Sequence, residues 1–578
     1  KVIQTKNDYE LGVMNGTMGI VADVAPRNES VTVRFEDQEV KYSSADMQEL
    51  SLAHAVSIHK CVSGDTLIAT CDGLRPIREL AHGLSAGEFR CDVLPVAGRS
   101  GWAATDQVYA GGVQPTLRIT TRAGFTLEGS HRHPVLVATP EGHYLWRRLP
   151  ELREGDVVVL RRGVGAGTGY VSTHAFLPTR VVQPRLGRIP PCINEELGWL
   201  LGTLVGDGSQ SDLDDGRVEL AKGDTGFVLR VAEAAERLLG VKPTIRRKRS
   251  VLPSFYFHGR LVREFLAWAG LDYATASTKV VPWVIFRSPA SVQRSFLRGL
   301  FDTDGGVNHL VNFTTTSAQL AFEVQQLLLN NKVLSKRYPL NGSVRGRSAA
   351  YRIEITGDEQ RVFRDSIGFT HPAKRRRLEN LRAGKEAAWA KSNWGSVPHG
   401  RRLATALRDE MQRHGMWSRY AELVGPLLSR IANGKVRLSI WHSKYIAAMV
   451  PGLAQIGPAG AEIARIVTDG LFFDPVVSIE PGEAEVFDVH VPEGHAFIGN
   501  GFINHNSQGS EFPCAVVIAH KSHSFMHHRN LLYTAVTRAK ESVILLGDRW
   551  GIENCAAKRQ VDRRNTFLSF LLNPEARP

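Results

Sequence analysis

CVSGDTLIAT (Cys61–Thr70) and GHAFIGNGFINHN (Gly494–Asn506), the latter followed by Ser507, decide how this chain divides. Cys61 carries a thiol that can attack the carbonyl of Lys60 and turn an amide into a thioester, a step that needs an activated thiolate and a held geometry. Ser507 has a hydroxyl that can then receive the upstream acyl group. Asn506 has a side-chain amide that can cyclise on its own carbonyl and break the bond to Ser507. His505, beside it, can give a proton to the departing amine or orient the carbonyl. All three steps are intramolecular, and well-oriented groups reach effective molarities of about 10⁵–10⁸ M. Such chemistry requires neither a cofactor nor ATP. The two stretches bound a segment of 446 residues, with 60 before it and 72 after it.

Two interior stretches suit the same scheme. GFTLEGSHRHPVLV (124–137) sets Ser130 and His133 three apart after a strand-like run, suited to polarising the first scissile amide. VFDVHVPEGHAF (486–497) sets Asp488 and His495 near the second junction, suited to handling protons there. With these four motifs in order, segment 61–506 resembles the intein (Hint) family, class 1. The resemblance implies self-excision with ligation of the flanks. It gives Asp488 a role in the Cys61 step and in branching, and His495 a role in promoting Asn506 cyclisation. Ser130 stands where the family usually has Thr, and the hydroxyl is kept. Two other readings compete: an inert insert in a DNA-binding or helicase module, and a Hint domain that cleaves without ligating. The full set Cys61, His505, Asn506 and Ser507 speaks against the first, and a sensible sequence continuing from Ser507 against the second.

Composition is compatible with this division. At 578 residues several domains are expected, and 43% hydrophobic residues suffice for ordinary cores. A formal charge of +13 favours a polyanionic partner. Six cysteines at 61, 71, 91, 192, 514 and 555 lack CxxC spacing, which argues against zinc or a disulfide framework and for a reducing, cytoplasmic compartment. The longest apolar candidate, Leu197–Gly206, is interrupted by glycines and falls short of a membrane span, so no membrane partner is expected. The N-terminus lacks Met and an apolar signal core, and predicts a fragment.

The segment is far longer than splicing needs. LLGTLVGDG (200–208) and LRGLFDTDG (297–305) repeat one pattern, an apolar helix ending in Asp-Gly. Gly202 and Gly206, like Gly299 and Thr303, fall at i and i+4 on one helix face and would let two backbones approach. Asp207 and Asp304 would then meet at the helix ends, a carboxylate pair that divalent Mg²⁺ would hold for phosphodiester hydrolysis. The pair resembles LAGLIDADG homing endonucleases, and Lys279 in KVVP matches that family's catalytic lysine. The resemblance implies a double-stranded DNA target, with Asp207 and Asp304 as metal ligands. The basic stretches 241–257 and 335–356 could lie in the major groove as β-ribbons. Farther on, 419–442 looks like a helix-turn-helix with Pro426–Ala432 as reading helix and Arg430 and Lys435 near DNA; a plain helical spacer is the alternative.

Joining 1–60 to 507–578 gives IHK-SQGSEF and RNLLYTAVTRAKE, which resemble a RecD-like superfamily 1 DNA helicase. By that match Gly509 approaches the phosphates of ATP, Glu511 the ribose, and Arg538 the transferring phosphoryl group. Tyr533 fits core packing equally well. Period-two runs in 4–21 and 30–44 look like a small SH3-like barrel in the same lobe. GxxxxGK[ST] is absent, so the ATP-cradling first lobe is missing and the flanks alone should neither hydrolyse ATP nor unwind DNA. The expected architecture is multidomain. A β-rich Hint horseshoe comes from 61–165 and 466–506, with an inserted α/β endonuclease of paired αββαββ halves at 166–385. A helical segment fills 386–465. An α/β helicase lobe from 1–60 and 507–578 carries the barrel.

Overall fold

The computed structural model describes residues 2–4, 13, 18–25, 30–34, 39–43, 50–52, 60–178, 188–210, 217–222, 224–246, 253–272, 274–340, 349–381, 395–506, 512–521, 536 and 539–557. Ser507, Gly509, Glu511, Tyr533 and Arg538 lie outside them. Residues 1–59 form one compact unit and 60–578 a second. In the first, five strands make an antiparallel sheet in the order Glu39–Tyr42, Ser30–Arg34, Met18–Ala25, Val2–Gln4, Leu50–Leu52. Among the described residues no helix is long and apolar enough to cross a membrane.

The second unit contains a fourteen-stranded antiparallel sheet assembled from both ends of segment 61–506. Its spine is the 20-residue strand Leu471–His490. This pairs with Val157–Arg161 at its start and with the 15-residue strand Gln107–Thr121 along the rest. Val62 and Ser63 pair with Phe487 and Val486, a register that sets Cys61 beside Asp488. The strands Ala496–Gly499 and Phe502–His505 form a hairpin. Its two turn residues, Asn500 and Gly501, both have positive φ (50° and 83°), the mirror-image turn whose twist suits a two-residue hairpin. The Asn500 side chain accepts from the Leu67 N–H (2.8 Å) and donates to the Thr126 carbonyl (3.1 Å), tying this hairpin to the opening strands.

Between the two parts of that sheet the chain runs twice through helix, two strands, helix, two strands, helix, with a four-stranded antiparallel sheet in each half. The helices Glu195–Asp207 and Ala290–Asp304 pack against each other. A Cβ on Gly202 would stand 2.1 Å from the Phe296 carbonyl oxygen, and one on Gly299 2.2 Å from that of Trp199. One on Gly206 would overlap Thr303, so glycine is what permits this approach.

Residues 400–468 form five helices. Trp417–Ala432 is one continuous helix with Pro426 inside it, which corrects the helix-turn-helix expectation: Pro426–Ala432 is not a separate reading helix. Gly425-Pro426 reads as a turn in sequence, yet Tyr420, Val424, Leu428 and Ile431 keep one buried stripe across it, and that burial outweighs the missing backbone hydrogen bond. Arg430 and Lys435 are exposed. In the C-terminal flank, Phe512–Ala519 and Ala539–Gly547 pair in parallel, followed by the helix Arg549–Ala557.

Candidate functional sites: a buried junction centre and a paired-aspartate centre

Cys61 is fully buried at the start of its strand. Its N–H donates to Ser130 Oγ (3.3 Å), and the Ser130 N–H donates back to the Cys61 carbonyl (2.9 Å). His133 Nδ1 is 2.8 Å from the Lys60 carbonyl oxygen, the acyl group that Cys61 would attack. Two different atoms of the first junction are thus held: the amide nitrogen by Ser130 and the carbonyl by His133. Burial pushes the Cys61 thiol well above its usual range, and the charge of Asp488 pushes the same way. The resting thiol is protonated.

The second junction lies against the same residues. The Asn506 N–H donates to the His495 carbonyl (3.1 Å), and its side-chain amide donates to the Val491 carbonyl (2.9 Å). His505 Nδ1 is 2.8 Å from the Asn506 carbonyl oxygen, the carbon of which an attacking amide must reach. His495 has φ +48°, uncommon for a residue with a side chain. Its ring lies nearly parallel to that of His505, centroids 6.2 Å apart. Trp146 also packs on the His505 ring, nearly perpendicular to it, with centroids 4.7 Å apart. Burial above all pushes His505 down to about 4, with the positive charge of Lys60 acting in the same sense.

Two residues join the junctions and escaped sequence inspection. The Lys60 side chain, 9% exposed, brings Nζ to 3.3 Å from His505 Nδ1. An ammonium only donates and a carbonyl only accepts, so this nitrogen cannot serve Lys60 and the Asn506 carbonyl at once. Asn504 Oδ1 lies 2.8 Å from His133 Nε2. Tyr109 pairs in register with Asp488, and burial, then the charges of Cys61 and Asp488, hold its hydroxyl high.

The paired-aspartate centre sits at the ends of the two packed helices. Asp304 is pushed up to about 6, first by burial and then by the charge of Asp207. Asp207 makes an ion pair with Lys222. Lys279 Nζ donates to the Gly206 carbonyl (2.5 Å), and burial lowers its proton affinity. Lys374 Nζ donates to the carbonyls of Phe301, Asp302 and Thr303 (2.9, 2.7 and 3.1 Å) and is pushed down to about 8, chiefly by burial. Each helix therefore presents an acid at its end and a lysine on its last carbonyls, where the helix dipole favours a cation. Lys222 and Lys374 were missed in the sequence. The signal for Lys374 was available: Lys279 follows Asp207 by 72 positions and Lys374 follows Asp304 by 70. Asp302, in the same motif, faces inward, accepting from Trp199 Nε1 (3.1 Å) and the Thr370 N–H (2.9 Å), a structural task.

Among the described residues no cluster of three or more His, Cys, Asp or Glu could hold a metal ion. A cation here would rest on the carboxylates of Asp207 and Asp304. The fit is chemical: two oxygen donors whose mutual repulsion already raises one of them suit a hard divalent ion completed by water and phosphate. On the four-stranded sheet of the first half, Arg217 and Arg246 lie over the Tyr256 ring at 4.7 and 4.3 Å, and on that of the second half Lys336 lies over Tyr338 at 5.4 Å.

Residues 291–368 match the family of the LAGLIDADG-like domain. Residues 504–546 match the UvrD-like helicase C-terminal domain. The chain is 28% identical over 77% of its length to the replicative DNA helicase DnaB of Rhodothermus marinus, of which it spans about half (46%). It is 27% identical over 79% of its length to a DNA gyrase subunit of Mycobacterium gordonae, spanning 78% of that protein. Among solved structures it resembles the homing endonuclease I-DmoI in complex with DNA and Ca, at 16% identity over 32% of this chain and 98% of that one, TM-score 0.26. It also resembles a DnaB intein from Synechocystis, at 21% identity over 18% and 72%, TM-score 0.15.

Proposed function

We propose that residues 61–506 excise themselves and join Lys60 to Ser507. The observation that carries this is the meeting of both junctions in one buried centre: the Lys60 carbonyl on His133, and the Lys60 side chain beside the His505 that holds the Asn506 carbonyl. Cys61 Sγ attacks the Lys60 carbonyl while His133 takes up charge on its oxygen. The Cys61 nitrogen leaves as an amine, and Asp488, whose charge reaches the thiol, would receive and return its proton. Ser507 takes the acyl group. Asn506 Nδ2 then closes on its own carbonyl carbon, with His505 at the carbonyl oxygen and His495 beside it. Two further points support the reading. The Rhodothermus and Mycobacterium gordonae relatives match 77% and 79% of the chain, close in size to the share that 61–506 makes up, 446 of 578 residues or about 77%. The matches also carry three different names, a replicative helicase, a DNA gyrase and a replication factor, which is what an element shared between hosts would produce.

The intervening domain we assign to hydrolysis of double-stranded DNA at a specific site. Asp207 and Asp304 would hold Mg²⁺ or a similar ion, which when bound supplies a polarised water and neutralises charge on the phosphate. Lys279 and Lys374 stand at the helix ends as positive groups for the scissile phosphate, and the two sheets, carrying Arg217 and Arg246 on one and Lys336 on the other, would meet the flanking DNA. The flanks are read as part of a RecD-like superfamily 1 helicase, Gly509, Glu511 and Arg538 serving ATP once a first lobe is supplied.

The test is intact mass of the purified chain over time under reducing conditions, beside Cys61→Ala/Asn506→Ala. A ligated species of 132 residues plus a free insert of 446, from the native chain alone, is the expected outcome. A persistent full-length chain refutes splicing. Separate flanks without ligation would show a self-cleaving domain instead.

A further inference from the structure

His133 stands between two hydrogen-bond acceptors. On one side Nδ1 meets the Lys60 carbonyl oxygen at 2.8 Å. On the other, Nε2 meets Asn504 Oδ1 at 2.8 Å. The orientation of the Asn504 amide is fixed by its own donors, since Nδ2 gives hydrogen bonds to the carbonyls of Phe502 (2.9 Å) and Gly499 (3.3 Å). Turning the amide over would set its oxygen against both. Gly499 leaves the room it needs: a Cβ there would stand 3.0 Å from Asn504 Nδ2. A neutral imidazole has one N–H and can satisfy only one of the two acceptors. The imidazolium satisfies both.

We propose that Asn504 is a positioning residue for the first step of excision, holding the His133 ring with Nδ1 on the Lys60 carbonyl and supporting the doubly protonated form in which Nδ1–H is donated to it. The inference rests on the splicing reading and adds how the carbonyl is activated. When the Cys61 Sγ–C bond forms, the electron pair of the carbonyl moves onto its oxygen, where the Nδ1–H receives it. The oxygen returns that pair as the C–N bond breaks, and the thiol proton ends on the Cys61 amine. The His133 proton is not consumed.

Opposing forces set where the ring loses its second proton. Burial, complete for this residue, is the largest of them and holds the ring below the usual imidazole range, and the Lys60 ammonium acts in the same sense. The oxygens of Asn504 and Lys60 favour it. His505 is a further titratable group close enough to act on the ring, while the charge of Asp488 bears on Cys61. Phe497 supplies an apolar wall at 6.4 Å. Removing the Asn504 oxygen takes away support for the charged form, so the ring would become neutral at lower pH. A carboxylate in its place would keep the charge to higher pH.

The experiment uses the full chain carrying Asn506→Ala and Ser507→Ala, in which only the first step remains, and measures release of residues 1–60 by dithiothreitol from pH 5 to 9. Asn504→Leu should move the limb where the rate falls with rising pH downward by about one unit, and Asn504→Asp should move it upward by a similar amount. Opposite displacements establish the role, and one variant that fails to fold leaves the other to decide. A uniform loss of rate with the limb unmoved, in whichever variant folds, overturns it and leaves Asn504 a packing residue. If the parent releases nothing at any pH, the splicing reading itself fails and this inference with it.

Discussion

The junction centre and the paired-aspartate centre solve opposite electrostatic problems within one folded unit. At the junctions Cys61 and His505 are buried and held in the protonation state that does least, the thiol protonated and the imidazole neutral. Reaction there needs a transient charge in a dry place. At the helix ends the groups come in near-duplicate pairs, two acids and two lysines around a pseudo-two-fold relation, and charge is present at rest. That arrangement awaits a polyanion and a cation from outside. On the proposed reading, burial in the first centre restrains a reaction that would break the chain, and in the second it weakens the resting charges of Asp304 and the lysines that an incoming cation and phosphate would restore.

Two substitutions should separate the centres cleanly, and they carry the largest effects. Cys61→Ala removes the nucleophile and should abolish ligated product while DNA cleavage by the chain persists. Asp304→Asn should lower DNA cleavage by about 10²–10⁴-fold, the range for losing a catalytic carboxyl or metal ligand, with splicing intact; a chelator should reproduce that pattern. Loss of both activities from either change would mean that the two centres are not independent. Asp304→Asn has a second signature. Its carboxyl is raised in the folded state to about 6, so stability from this group is present below its unfolded pKa and lost as pH rises through about 6. Thermal melts should therefore show the variant at least as stable as the native chain near pH 7, with the advantage vanishing near pH 4. An active-site acid that lowers stability is the expected mark of a site kept for function.

A smaller break comes at the helix pair. Gly202→Ala places a methyl 2.1 Å from the Phe296 carbonyl oxygen, a backbone atom that cannot swing away. Overpacking of this kind costs on the order of 1–3 kcal/mol. Hydrogen exchange should localise the loss to 195–210 and 290–305, with DNA cleavage falling and ligation by the junction centre retained. Unchanged exchange in those helices would show that they tolerate separation.

Much of this was legible in the sequence, and two of the omissions have a common cause. The two Asp-Gly helices were visible because close helix contact leaves small residues at i and i+4. The four junction motifs were visible because reactive side chains sit at chain positions fixed by the bonds they break. Asn504 and the Lys60 side chain were not, since their meaning depends on what the fold sets opposite them, whereas Lys374 carried a signal in its spacing from Asp304 that went unread. Asn504 reads as an ordinary polar residue in INHN until Val135 pairs with it and brings His133 to its oxygen. Lys60 reads as the end of the host. Gly425-Pro426 misled in the other direction, because local turn chemistry says nothing of the apolar stripe that carries the helix through.

The mildest test concerns that last host residue. In the uncleaved chain Lys60 Nζ contends with the Asn506 carbonyl for His505 Nδ1, and its charge helps keep His505 unprotonated. Transfer of the Lys60 acyl group to Ser507 would change the atom on which that side chain is anchored and so its approach to His505. Lys60 would then act as a brake on Asn506 cyclisation until the upstream flank has been transferred, which orders two steps that would otherwise shed the downstream flank prematurely. Removing the ammonium raises the proton affinity of His505, so release of 507–578 should shift to higher pH. In Lys60→Met the ratio of unligated to ligated product should rise roughly two- to fivefold near pH 7, the size expected of one partly screened charge, while Lys60→Arg should stay near the native ratio. An equal ratio in all three chains would show that the contact is packing alone, and that His505 is restrained by burial without help from the host.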